Sequence, residues 1–197
     1  MEPLHLERSK LSATRRLTAG RYHGCVLSLF LPVVLIASAS LSPPAPVREY
    51  HLRFYHTHTG ERLDIVYRRG DDYIPEALQR LDYFLRDHRT GDVHHYDPRL
   101  FDLLTDLTAK VHRYGEEIDV ICGYRSPRSN EFLRTHTVGV ARHSLHMQAE
   151  AIDIRMPGLK TSVFRDAALS LQRGGVGYYP KSNFIHVDVG RVRRWQL

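Results

Sequence analysis

The sequence predicts an α+β domain, a small antiparallel sheet with helices mostly before it. Three observations carry that expectation. An alternating hairpin comes early, two stretches repeat their apolar residues at helical spacing, and a pair of alternating strands closes the chain. At 197 residues the chain is long enough for one domain with a proper core.

The first 39 residues stand apart from that domain. Arg8, Lys10, Arg15, Arg16 and Arg21 against Glu2 and Glu7 carry about half of the net charge of +6. An apolar run from Cys25 to Ile36 follows, broken by Pro32 and ending in Ala37-Ser38-Ala39. The run is short for a membrane span of about 20 residues. Residues 1–39 therefore read as a cleaved export signal, with an uncleaved anchor as the other reading. Arg15-Arg16 hints at twin-arginine export. Residues 40–47, with "SPPAP", read as an extended linker, and residues 48–197 as the folded domain. Cleavage would leave Cys122 as the sole cysteine, so no internal disulfide is expected, and its place in "DVICGY" suggests buried packing. The domain's own charge is too mild, and too little interleaved with aromatics, to argue for nucleic acid.

Within the domain, Leu52 and Phe54 alternate with polar residues, as do Leu63, Ile65 and Tyr67 beyond a bend at Thr59-Gly60. His56 and His58 flank that bend, where an exposed hairpin end is expected. Ile74, Ala77, Leu78, Leu81, Phe84 and Leu85 mark a first helix. A second opens at Asp97-Pro98, aspartate as N-cap and proline at the first position, with Leu100, Leu103, Leu104, Leu107 and Val111 as its apolar face. His94 and His95 precede it in a polar loop and are expected to face solvent. "EIDVICGYRSP" reads as a strand into a turn, with Ser126-Pro127 opening a short helix. "EAIDIR" is a strand, and "LKTSVFRDAALSLQRG" a helix closed by Gly174 and Gly175. "GVGYYP" and "NFIHVDVG" form the closing strand pair.

The stretch "SLHMQAEAID" places His146 and Asp153 seven residues apart. Two ligands of one zinc ion lie only about 3–4 Å apart. On one helix a seven-residue step rises about 10 Å, and on one strand an odd step reverses the face. The two can share a metal only if the chain turns at 147–150 and Asp153 lies on a strand. His186, alternating with Ile185 and Val187, would then approach Asp153 across a ladder. Two imidazoles and a carboxylate make a catalytic zinc set. Polar outer faces are also the ordinary design of antiparallel strands, so spacing alone leaves a solvated surface as the other reading.

"SLHMQAEAID" resembles the Ser-x-His-x-x-Gly-x-Ala-x-Asp motif of the D-alanyl-D-alanine zinc metallopeptidases and the hedgehog-type fold. "ICGYRSPRSNEFLR" is similar to their Ser-Gly-Tyr-Arg segment, and "GGVGYYPKSNFIHVDVGRVRRW" resembles the closing segment of the murein endopeptidase K family. The match spans most of residues 48–195. The resemblance implies Zn²⁺ held by His146, Asp153 and His186, with Arg125 steadying the polarised carbonyl. It implies hydrolysis of peptide cross-links in peptidoglycan, in the periplasm; the protein is expected to be a monomer. A stem-trimming carboxypeptidase and a zinc-containing wall-binding module without activity are the rival expectations.

Three positions depart from the family pattern. Ala149 replaces a glycine where the chain must turn, and Cys122 replaces a serine. Asn183 stands where some relatives carry an acidic base three residues before the last histidine ligand. Asp188, two residues beyond His186 on the same strand face, is the expected general base or else orients a ligand histidine; His143 is the alternative base. Ser144 is expected to fix the ligand loop by a hydrogen bond. Tyr124 is expected to line the cleft or pack, and Trp195 to pack at the C-terminus.

Overall fold

A computed structural model describes residues 46–197 apart from Val138. The expected export signal, and the linker up to residue 45, lie outside the described residues. Among the described residues no helix is long and apolar enough to cross a membrane.

The elements run β1 (Glu49–His56), β2 (Arg62–Arg69), β3 (Asp72–Tyr73), α1 (Pro75–Phe84), α2 (Arg99–Lys110), β4 (Glu117–Cys122), α3 (Pro127–His136), a 3₁₀ turn (Leu145–Gln148), β5 (Ala151–Arg155), α4 (Thr161–Leu171), β6 (Gly175–Tyr179), β7 (Phe184–Asp188) and β8 (Arg193–Gln196). The eight strands form one sheet in the order β3-β2-β1-β4-β5-β7-β6-β8. The sheet is larger than expected and mixed rather than antiparallel. β1 pairs with β4 in parallel because the intervening chain, with α1 and α2, is a crossover long enough to return it. β8 lies parallel to β6 because β7 already occupies the other side of β6.

The helices begin where the sequence places them. Asp97 accepts a hydrogen bond from the Arg99 N–H at 2.9 Å, capping α2 with Pro98 already in helical backbone. Ser126 caps α3 by accepting from Ser129 N–H. The end of α4 differs: Gln172, at φ +51°, takes the left-handed position before the two glycines are reached.

One face of the sheet carries the core. Leu52, Phe54, Ile65, Ile118, Val120, Ile152, Ile154, Ile185 and Val187 pack against Leu81, Leu85, Leu100, Leu104 and Leu107 of α1, its C-terminal end and α2, and against Phe164 of α4. The alternate residues of β5 and β7 point the other way. Asp153 and His186 lie directly opposite each other in the ladder, and Asp153 is also level with Cys122 of β4. The covered face fixes the strand register, so it also fixes which polar side chains meet on the reverse.

Candidate metal centre

Three ligand-type atoms meet on that reverse face. His146 Nε2 lies 3.2 Å from Asp153 Oδ1 and 3.1 Å from His186 Nδ1, and His186 Nδ1 lies 2.9 Å from the same Oδ1. His146, Asp153 and His186 are 2 %, 7 % and 6 % exposed, so water does not surround them. The chain turns between His146 and Asp153 as the spacing demands. The 3₁₀ turn does this, capped by Ser144, whose hydroxyl accepts from His146 N–H, and closed by Ala149.

The outer partners fix the tautomers. His146 Nδ1–H donates to the Gly123 carbonyl at 2.8 Å, which leaves Nε2 as a bare lone pair. His186 Nε2–H donates to Asp188 Oδ2 at 3.0 Å, which leaves Nδ1 bare. In their neutral forms the two imidazoles turn a lone pair each toward the same carboxylate oxygen, an arrangement that a shared proton or a metal cation can hold together. The mutual distances fit those of ligand atoms around zinc, about 3–4 Å, and each imidazole has the outer partner that metal-bound histidines use.

The charges point the same way. Burial alone would lower the pKa of His146, but Asp153 and Cys122 outweigh it and push it up to about 10. Burial opposes ionisation of Asp153, yet the two histidines hold its carboxyl far below the usual range. The cluster stabilises positive charge even with protons alone.

Asp188 is fully buried behind His186 and does not line the cleft. Its Oδ1 accepts from Gly175 N–H and Gly190 N–H at 2.9 Å each, and Arg193 pairs with Oδ2 at 2.7 Å. A carboxylate so engaged, on the far side of the imidazole from Asp153, is placed to orient His186. The expectation of a base in contact with the reacting water is not met by this placement. Asn183 also points elsewhere: its Oδ1 accepts from Thr161 Oγ1, and its φ of +55° suits the β6–β7 turn. His143 does line the cleft.

The cleft has a volume of 610 Å³. Cys122, Arg125, His146, Asp153 and His186 line its interior, His58, His88 and Arg89 form part of its wall, and Lys181 and Trp195 belong to it as well. Among the described residues Asp153 is the only Asp or Glu on that wall. Arg125 is 9 % exposed; its guanidinium lies 3.8 Å from Asp153 Oδ2, and Nε has no partner.

The family described as peptidoglycan L,D-endopeptidase MepK matches residues 44–195. A probable peptidoglycan L,D-endopeptidase MepK of Haemophilus influenzae is 43% identical over 158 residues, which is 80% of this chain and 83% of that protein. The peptidoglycan L,D-endopeptidase MepK of Escherichia coli K12 is 41% identical over 159 residues, 81% of this chain and 85% of that protein. The chain belongs to the MepK family. No solved structure matches it.

Within the MepK framework the departures acquire structural content. Ala149 takes φ +53°, the left-handed position that glycine suits, at a cost of about 1 kcal/mol. Cys122 is buried at the centre rather than in the apolar core. Tyr124 is buried, and its N–H donates to the Leu85 carbonyl. Trp195 packs on His186 with ring centroids 5.0 Å apart. His94 and His95 are exposed, as expected. His56 is not: it is fully buried against Phe84, while His58 stacks on His88 with centroids 4.2 Å apart. Neither Lys181 nor His88 was foreseen, because no periodicity or motif in the sequence marks a cleft wall built from separate turns.

Proposed function

We propose that this chain is a zinc-dependent L,D-endopeptidase that cleaves peptide cross-links of peptidoglycan in the periplasm. The observation that carries the reading is the convergence of His146 Nε2, Asp153 Oδ1 and His186 Nδ1 within 3.2 Å of one another, with each imidazole held from outside by a second partner. An export signal in residues 1–39 would deliver the chain to that compartment. The printed activity of the relatives supplies the substrate class, and the basic wall of the cleft suits peptide stems that carry free carboxylates.

His146, Asp153 and His186 would hold the ion, which supplies Lewis-acid chemistry at the buried end of the cleft. Asp188 holds the His186 ring in place through Nε2, and Gly123 does the same for His146. Arg125 remains charged: burial works against its charge, but Cys122 and Asp153 more than compensate. Its guanidinium is positioned to donate to a carbonyl oxygen that gains charge. Proton transfer falls to His143, the cleft-lining imidazole on the loop before His146.

The test is digestion of purified sacculi by the zinc-loaded protein beside an Asp153→Ala control, with products resolved by chromatography and mass spectrometry. Loss of cross-linked dimers with the parent alone is expected, and the fragment masses identify the bond. Shortened monomer stems with intact dimers would replace this reading by a carboxypeptidase. Sacculi bound but uncut would replace it by a binding module.

A further inference from the structure

Cys122 is more than a filler of the space between β4 and the site. It sits level with Asp153 in the β4–β5 ladder, beside an irregularity in register that turns its side chain toward the cleft. Its Sγ and the ligand atoms of His146 and Asp153 all lie within 4.8 Å of one another. A packing thiol would find apolar neighbours. This one has an imidazole, a carboxylate and a guanidinium.

The sulfur both accepts from Arg125 and donates to the Gly123 carbonyl. Arg125 Nη2 donates to it at 3.5 Å. The Gly123 carbonyl, 3.6 Å away, takes the thiol hydrogen and also the His146 Nδ1–H at 2.8 Å, which ties the sulfur to the ligand imidazole. Arg125 itself is over nine-tenths buried, and its Nε has no partner, so a cation is kept at this spot at some cost.

Resting on the metal reading above, we infer that Cys122 Sγ is a fourth donor to the metal, completing a Cys, Asp, His, His set in this chain. Binding releases the thiol proton to solvent, and the thiolate joins the Asp153 carboxylate in neutralising a divalent ion. Arg125 Nη2 stays on the sulfur as its outer partner. A thiolate donor favours zinc over the harder divalent ions. It also closes the position that catalytic zinc sites keep open. Hydrolysis then requires that the sulfur yield its place or that coordination expand to five. A serine at this position would offer no such donor at neutral pH.

The experiment uses the full chain carrying Cys25→Ser, so that Cys122 is its only thiol. Loaded with Co²⁺, this protein should show a sulfur-to-cobalt charge-transfer band in the near ultraviolet above the visible ligand-field bands. Adding Cys122→Ser should remove the charge-transfer band and keep the visible ones. Zinc affinity should fall by about tenfold or more, since the loss of even an outer partner costs that much. Visible bands without charge transfer in the Cys25→Ser protein would overturn the thiolate donor and leave the three-ligand site standing. Absence of both would overturn the metal centre, and this inference with it. Should the double variant fail to fold, alkylation of Cys122 in the Cys25→Ser protein decides. Zinc should slow it at least about tenfold, and an unchanged rate would refute the inference.

Discussion

At the scale of single residues, the two candidates for proton transfer separate by where they sit. Asp188 has five donors around it and no access to the cleft, so its influence passes through His186. Asp188→Asn should therefore weaken zinc binding about ten- to a hundredfold, and should cost about 2 kcal/mol of stability through the Arg193 pair. Competition with a chromogenic chelator and urea unfolding measure the two effects. His143→Gln should do the opposite, keeping full zinc content while kcat/KM falls about a hundredfold or more. Equal zinc loss in both variants would contradict this division. The meeting of His146, Asp153 and His186 was legible because turn, strand and ladder constraints converge on them. The position of Asp188 was not, because i and i+2 share a strand face without revealing that His186 lies between Asp188 and Asp153. Cys122 is buried as expected, but that it lines the cleft was not legible, because an apolar run marks a strand as buried and β4 is buried on both faces.

At the scale of elements, β8 does work that no alternation announced. "RRWQ" is exposed or half-buried throughout, and its place is set by Trp195, which lies across Gly177 of β6. A Cβ on Gly177 would come within 2.6–2.7 Å of the indole ring. Gly177→Ala should drive Trp195 off, uncover the face of His186 and detach β8. Expected are a red-shifted, more quenchable emission from this single tryptophan, a lower Tm and weaker zinc binding. A Trp195→Phe protein, which leaves more room above position 177, should tolerate the alanine better; equal losses in both backgrounds would show that the clash is not the cause. Hairpins and helix starts were legible where local chemistry decides them: the Asp97 and Ser126 caps and the alternation of β1, β2, β5 and β7. The parallel pairings and the return of β8 were not, because they depend on which sheet edge remains free after the other strands have paired.

At the scale of the whole molecule, the sheet separates an apolar core from a polar reverse face, and His56 is the residue that carries an ionisable group to the core side. It follows Leu52 and Phe54 in the same alternation, is fully buried, and packs its ring on Phe84. Burial, then the neighbouring His58, lowers its pKa from 6.5 to about 4, with Arg86 acting in the same sense and Glu61 against it. His88, beside it, is also pushed down to about 4, by burial and then by Arg89. As pH falls through 6.5 the unfolded chain takes up a proton that the folded chain refuses. Stability from the neutral His56 is therefore complete above pH 6.5 and lost progressively towards pH 4. A shift of this size corresponds to about 2–3 kcal/mol between pH 7 and pH 4.5. Nδ1 of His56 accepts from His58 N–H and Thr59 N–H at 3.3 and 3.4 Å, and an asparagine oxygen can take over that role without titrating. His56→Asn should be less stable than the parent at pH 7, where the Phe84 contact is lost, yet lose about 2 kcal/mol less on acidification. Urea unfolding of both proteins, metal-free, at pH 7 and pH 4.5 isolates this contribution, because the carboxylates and ligand histidines titrate alike in the two. Parallel pH profiles would show that His56 is protonated in the fold and that the acid sensitivity of the domain arises elsewhere, on the reverse face around His146, Asp153 and His186.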